Sequence, residues 1–139
     1  MLKGQLIHPT ILEVLGSSGH GSKVLIADGN YPFSTGANPA ARRVQLNLSP
    51  GKLTVTDVLA ALITAMPVEA AEVMMPPGEE PAIFAEFRQL LPDLELQAHE
   101  RFAFYEESKS SNVCMVIATG EQRIYANILL TIGTVLPEA

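Results

Sequence analysis

The sequence predicts an α/β protein, a three-layer α/β/α sandwich around a mostly parallel, mixed sheet, folded as one domain over residues 1–139. Three observations predict it. Segments with strand character alternate with segments of helix character, which places helices on the faces of a sheet. The run Lys23-Val24-Leu25-Ile26-Ala27 is continuously apolar after its first residue, the pattern of a strand buried on both faces. Thr54-Val55-Thr56-Asp57 is a capping-box helix start, with Asp in place of the usual Glu, directly ahead of the apolar stretch Val58–Met66.

In chain order, Pro9 is pre-set for a first helical turn, and Ile11, Leu12, Val14 and Leu15 follow at helical spacing until Gly16-Ser17-Ser18-Gly19 ends the helix. The strand 23–27 stops at Asp28-Gly29-Asn30, and residues 29–41, rich in Pro, Gly, Ser and Asn, form a loop longer than a simple connector needs. Residues 42–48 alternate Val44, Leu46 and Leu48 with Arg43, Gln45 and Asn47, a period-two strand with one wet face. The capped helix is closed by Pro67, and 68–75 reads as a strand. After the loop 76–81, residues 82–91 form an amphipathic helix with Ile83, Phe84, Phe87, Leu90 and Leu91 inward. A brief strand at 94–97, an aromatic-rich helix over 100–109, a strand at 113–119, a loop at 120–127 and a strand at 128–132 complete the pattern.

Composition excludes several functions. The net charge is −6, and the nine Lys and Arg residues are scattered, so neither nucleic acid nor an anionic membrane finds the basic patch it needs. No apolar run reaches the roughly eighteen residues of a membrane span, and the start Met1-Leu2-Lys3-Gly4-Gln5 is unlike a secretory signal. The single cysteine, Cys114, lies in an apolar run and reads as a buried small hydrophobe, which fits a reducing cytoplasm. A hydrophobic fraction of 47% in so short an acidic chain leaves apolar surface to be covered between subunits, so a homo-oligomer is expected.

The residues able to carry chemistry are few. In Gly120–Leu130 a polar loop runs into an apolar strand and presents Tyr125 and Asn127, whose phenol and carboxamide supply the donors and acceptors a polyhydroxylated ligand requires; the same residues also suit an ordinary turn. Asp28 and Asn30 stand beyond the carboxyl end of a strand, where ligands of α/β sheets gather. Of the three histidines, His8 precedes the helix-starting proline and reads as structural, and His99 beside Glu100 and Arg101 suits surface pairing. His20, between two glycines and eight residues before Asp28, fits either a turn or a proton-transfer role. The histidines lack metal-ligand spacing, so no metal is expected. Gly16–Gly21 lies after a helix and before a strand, the reverse of a phosphate cradle. No nucleophile elbow surrounds Ser17 or Ser18, which argues against a serine hydrolase.

The ordered pieces Gly19-His20-Gly21, Ala27–Pro32, Val73-Met74-Met75, Arg101–Glu106 and Thr119-Gly120-Glu121 with Tyr125–Leu130 resemble the fucose mutarotase and ribose pyranase family (RbsD/FucU) across nearly the whole chain. That resemblance implies an RbsD-like fold, a pentameric ring or decamer with sites near subunit boundaries, and a cofactor-free isomerase acting on the anomeric carbon of a free monosaccharide. It further implies His20 as proton donor beside Asp28, Asp28 and Arg101 as substrate ligands, and Tyr125, Ala126 and Asn127 as the loop that holds the sugar hydroxyls. Arg101-Phe102-Ala103-Phe104-Tyr105 points to the fucose branch, and His99-Glu100 echoes the pyranase branch. D-ribose pyranase, or a non-catalytic sugar-binding or transport-associated protein of the same fold, is the alternative.

Overall fold

A computed structural model describes residues 1–138. Its elements are α1 (Pro9–Ser17), β1 (Lys23–Ala27), β2 (Arg42–Gln45), α2 (Val55–Leu62), β3 (Val68–Met74), α3 (Ile83–Leu90), β4 (Leu96–His99), α4 (Arg101–Ser108), β5 (Val113–Ala118) and β6 (Ile128–Ile132). The strands form one mixed sheet in the order β2-β5-β1-β6-β3-β4. Every neighbouring pair is parallel except those made by β6, which runs antiparallel to both β1 and β3. The α/β class and the mostly parallel sheet therefore match the expectation.

The two faces of the sheet bury different partners. Val24, Ile26, Val73, Met115, Ile117, Ile128 and Leu130 meet α1, α2 and α3 on one side, through Ile11, Val14, Leu59, Leu62, Phe84 and Phe87. Leu25, Ala27, Met74, Val116 and Leu129 face the other way, where Phe104 of α4 and Tyr31, Ala37 and Ala41 of the long loop cover them. The loop 29–41 thus does the work of a helix in the second outer layer. The Tyr31 hydroxyl donates to the Gly36 carbonyl at 2.6 Å, and burial pushes its phenol up to about 12, so it stays a neutral bolt across the loop.

The capping box is present: Thr54 Oγ1 accepts from the Asp57 amide, and the Asp57 carboxylate accepts from the Thr54 amide. His8 caps α1 by accepting from the Ile11 amide, the structural role expected of it. Three elements depart from their expected bounds by more than one residue. Strand β2 stops at Gln45 because the chain turns, with Leu48 and Ser49 donating to the Lys52 carbonyl. Strand β4 starts two residues later than 94, since the Leu94 amide is still bonded back to Leu91 and pairing with β3 begins at Leu96. Helix α2 gives way at Leu62 to a tighter turn, in which Ala65 donates to the Leu62 carbonyl three residues back. Cys114 is half-buried rather than buried; it packs against the core while its thiol donates to the Lys23 carbonyl.

Candidate functional site

The direction of β6 creates the site. Strands β5 and β1 are parallel neighbours, and β6 pairs antiparallel with β1 on the side away from β5. The nine residues 119–127 must therefore pass over the carboxyl end of β1, where Asp28 stands. A segment this short holds no crossover helix, which is why the strand after it returns antiparallel. The loop lies close: a Cβ on Gly29 would sit 3.0 Å from the Glu121 carbonyl, and one on Gly120 would sit 2.3 Å from the Ser49 carbonyl oxygen. The carboxyl ends of β3 and β4 open on the same edge and deliver Met74 and Arg101.

Asp28 is the pivot of this edge and is 3% exposed. Its Oδ1 accepts from the Asn30 amide at 3.0 Å and its Oδ2 from the Ala126 amide at 3.3 Å, while its own amide donates to Asn127 Oδ1 at 2.7 Å. Burial pushes the carboxyl above its ordinary 3.8, and the backbone donors only partly offset that rise. Tyr125 has φ 55, a left-handed conformation that costs a non-glycine residue about 1–3 kcal/mol and tends to occur at functional sites. The turn is held because Ala126, fully buried, is tied to Asp28 on one side and Asn127 is tied to it on the other. Ala126 is thus an anchor rather than a side-chain ligand.

Asp28, Arg101, Tyr125 and Asn127 together line a cavity of about 120 Å³, completed by Asn30, Tyr31, Met74, Tyr105 and Ile124. Four of the six residues that the resemblance implies for the site therefore meet around one space, Ala126 braces it, and Asn30, expected beyond the same strand end, lines it too. The lining combines carboxylate, guanidinium, phenol and carboxamide with the apolar Met74 and Ile124, which suits a molecule that carries both hydroxyls and carbon surface. Arg101 is exposed and its guanidinium stacks 4.8 Å from the Phe102 ring centre, a contact that orients its fork. Tyr31, Tyr105, Met74 and Ile124 were not picked out as lining residues, because an aromatic or methionine on an apolar pattern carries no sequence mark that separates lining from core.

His20 is a correction. It was expected beside Asp28 at a strand end, but it precedes β1 whereas Asp28 follows it, so the length of that strand, about 17 Å at roughly 3.3 Å per residue, lies between them. The neighbouring Gly21 amide donates to the Ile132 carbonyl at the far end of β6, which fixes the turn at the opposite edge of the sheet. There the His20 Nε2 meets the Glu69 carboxylate at 2.9 Å with both side chains about half exposed. Within one chain His20 does not reach the cavity.

A clamp holds the loop from the other side. The buried Glu121 carboxylate accepts from the Val55 amide at the start of α2 and from the amide, Nε and Nη2 of Arg123, and Arg123 Nη1 pairs with Glu86 of α3. Burial alone would push Glu121 up, but the Arg123 bonds outweigh it and hold the carboxyl below its ordinary 4.5. A group depressed in the folded state contributes stability that is present above its unfolded value and is lost as pH falls through the folded one. Arg123→Met is therefore expected to lose most stability above about pH 6, where the wild-type pair is fully formed, and the gap to the wild type is expected to close as pH falls through the Glu121 value. Equal denaturant midpoints for the two proteins at pH 7, followed by circular dichroism, would contradict the clamp.

The description of the RbsD / FucU transport protein family fits residues 1–135 of the chain. The chain is 29% identical over 154 residues to fucose mutarotase of Danio rerio, covering 99% of this chain and 97% of that one. It is 33% identical over 139 residues to D-ribose pyranase of Variovorax paradoxus (strain S110), covering 96% and 98%. Among solved structures it is similar to the fucose mutarotase in complex with L-fucose from Streptococcus pneumoniae, with a TM-score of 0.79 and 29% identity over 94% of this chain and 95% of the other. It is also similar to Bacillus subtilis RbsD complexed with D-ribose, with a TM-score of 0.84 and 26% identity over 98% and 100%.

Proposed function

The chain belongs to the RbsD / FucU transport protein family, and from that premise we propose that it interconverts the anomers of a free monosaccharide by acid-base catalysed ring opening and closure. It is a carbohydrate isomerase. The observation that carries the reading is the convergence of Asp28, Arg101, Tyr125 and Asn127 on one small cavity at the carboxyl edge of the sheet.

Mutarotation needs one group to protonate the ring oxygen while another takes the proton of the anomeric hydroxyl. The C1–O5 bond breaks, an open-chain aldehyde forms, and the ring oxygen re-adds to the other carbonyl face as both protons return. In this reading Asp28, Arg101, Tyr125 and Asn127 hold the hydroxyls, and the residue that donates the proton is His20. Because His20 and Asp28 occupy opposite edges of one chain, the His20 that serves a given cavity belongs to a second copy. A closed ring of identical subunits brings one edge of each chain to the other edge of its neighbour, the heterologous contact that makes rings. The exposed Leu48, Leu53, Ile124 and Phe102 give such a contact apolar area. We expect a pentamer or decamer mass by light scattering at micromolar concentration, and a monomer would contradict the shared site.

The substrate we favour is L-fucose or a related 6-deoxy sugar. Met74 and Ile124 give the cavity apolar surface for a methyl group beside its polar groups. Saturation-transfer NMR of anomeric protons across fucose, ribose and galactose tests this. Exchange accelerated most for fucose is expected, and faster exchange of ribose would assign the chain to pyranase activity instead.

A further inference from the structure

Three carboxylates among the described residues are buried, Asp28, Glu72 and Glu121. Burying an ionised carboxylate is unfavourable unless its oxygens are engaged. Asp28 is bonded within the site, and Glu72 of β3 is paired inside the sheet with Lys23 Nζ at 3.0 Å and with His99 Nε2 at 2.9 Å. Glu121 differs in place, because it lies in the loop that carries Tyr125, four residues ahead of it. Its Oε1 accepts from the Val55 amide at 3.3 Å and from Arg123 Nη2 at 2.8 Å, and its Oε2 accepts from the Arg123 amide at 3.2 Å and from Arg123 Nε at 3.1 Å. The remaining arm of the fork, Arg123 Nη1, reaches Glu86 of α3.

Tyr125 depends on this arrangement. Its ring packs against the cluster around Tyr31 and Phe104, but its hydroxyl makes no hydrogen bond among the described residues, so the backbone on either side sets where the phenol stands in the cavity. Downstream, Ala126 and Asn127 are tied to Asp28. Upstream, the tie is Arg123, whose amide and side chain both close on the Glu121 carboxylate. The two ties flank a residue held at φ 55, and a left-handed non-glycine residue persists only where its surroundings over-determine it. Without the guanidinium, the Glu121 carboxylate keeps only the amides of Val55 and of residue 123 and is a buried charge with no counter-ion. Relief of that charge requires the loop ahead of Tyr125 to shift until water reaches it.

We propose that Arg123 is a positioning residue for sugar binding: by fastening Glu121 to itself and the loop to α2 and α3, it sets the backbone entry into the left-handed turn that presents Tyr125 to the sugar. The inference rests on the isomerase reading, and wild-type anomer exchange is measured first, so that failure of that reading is seen separately.

A double-mutant cycle at pH 7 between Arg123→Met and Tyr125→Phe, read by anomer-exchange NMR on assembled protein, separates positioning from plain stability. Arg123→Met is expected to raise KM for L-fucose about fivefold, as loss of one hydrogen bond would, with kcat changed less than about twofold. Tyr125→Phe is expected to raise KM by a similar factor. Because both changes remove the same contact, the double variant is expected to stay near about fivefold rather than reach the roughly 25-fold of independent sites. A role confined to stability would lower the assembled fraction and leave the KM of that fraction at the wild-type value. A wild-type KM in assembled Arg123→Met, or a double variant at the full product of the two singles, would overturn the proposal. If Arg123→Met does not assemble, Arg123→Lys decides the matter, since it keeps the charge but cannot make the Nε and Nη2 bonds of the planar fork together: a raised KM upholds the inference and a wild-type KM overturns it.

Discussion

Replacing His20 with Asn is expected to slow anomer exchange by ~10²–10⁴-fold, the usual effect of losing a positioned proton-transfer group, without disturbing the fold. The fold is insulated for a physical reason. His20 lies in an exposed turn, and its partner Glu69 is also about half exposed, so the pair is of the solvent-screened kind that contributes little to stability. Its backbone turn is fixed instead by the Gly21 amide on the Ile132 carbonyl, which the substitution leaves alone. One-dimensional exchange NMR gives the rate and light scattering the assembly state. A near-wild-type rate in a properly assembled His20→Asn protein would remove His20 from the mechanism and leave Asp28 and Tyr125 as the groups able to move a proton.

The second large effect is expected at Asp28. In Asp28→Asn one side-chain oxygen can still accept from the Asn30 amide, but the amide nitrogen then faces the Ala126 amide, donor against donor. Leaving that buried N–H unsatisfied costs about 1–3 kcal/mol. Relief of the carboxylate's own burial, which pushes its proton affinity up, offsets part of this at neutral pH. The consequence for the site is larger than for the fold, because the same contact holds Tyr125 in its left-handed turn. We expect sugar affinity to fall at least ~10-fold by calorimetry and exchange to be lost, with denaturant midpoints only modestly lower. The wild-type acidic limb of kcat/KM is expected above the ordinary aspartate range, since burial raises the Asp28 carboxyl. Unchanged affinity in an assembled Asp28→Asn protein would contradict its assignment as a ligand.

Much of this architecture is legible in the residues, and the parts that are not share a cause. Helix starts are written locally, as at Thr54 with Asp57, and so are the apolar runs of β1, β5 and β6. Periodicity reports burial on each face but not direction, so nothing in Ile128–Ile132 says that this strand runs against its neighbours. That one reversal carries the loop 119–127 over Asp28, and hence makes the cavity. The placement of His20 failed for a related reason: eight residues is a short interval in sequence but spans the whole depth of a sheet when a strand lies between. Glu72 did leave a mark, a carboxylate in the buried half of a strand, but its partners Lys23 and His99 are 49 and 27 residues away.

The central claim is that two chains share each site, one giving His20 and the next giving Asp28 with its loop. It is tested most directly by mixing His20→Asn and Asp28→Asn proteins, each inactive alone, under conditions that let subunits exchange. In a randomly mixed ring one boundary in four carries both intact residues, so about a quarter of the wild-type anomer exchange rate is expected to return. A mixed, exchanged assembly as inactive as its parents would contradict the shared site.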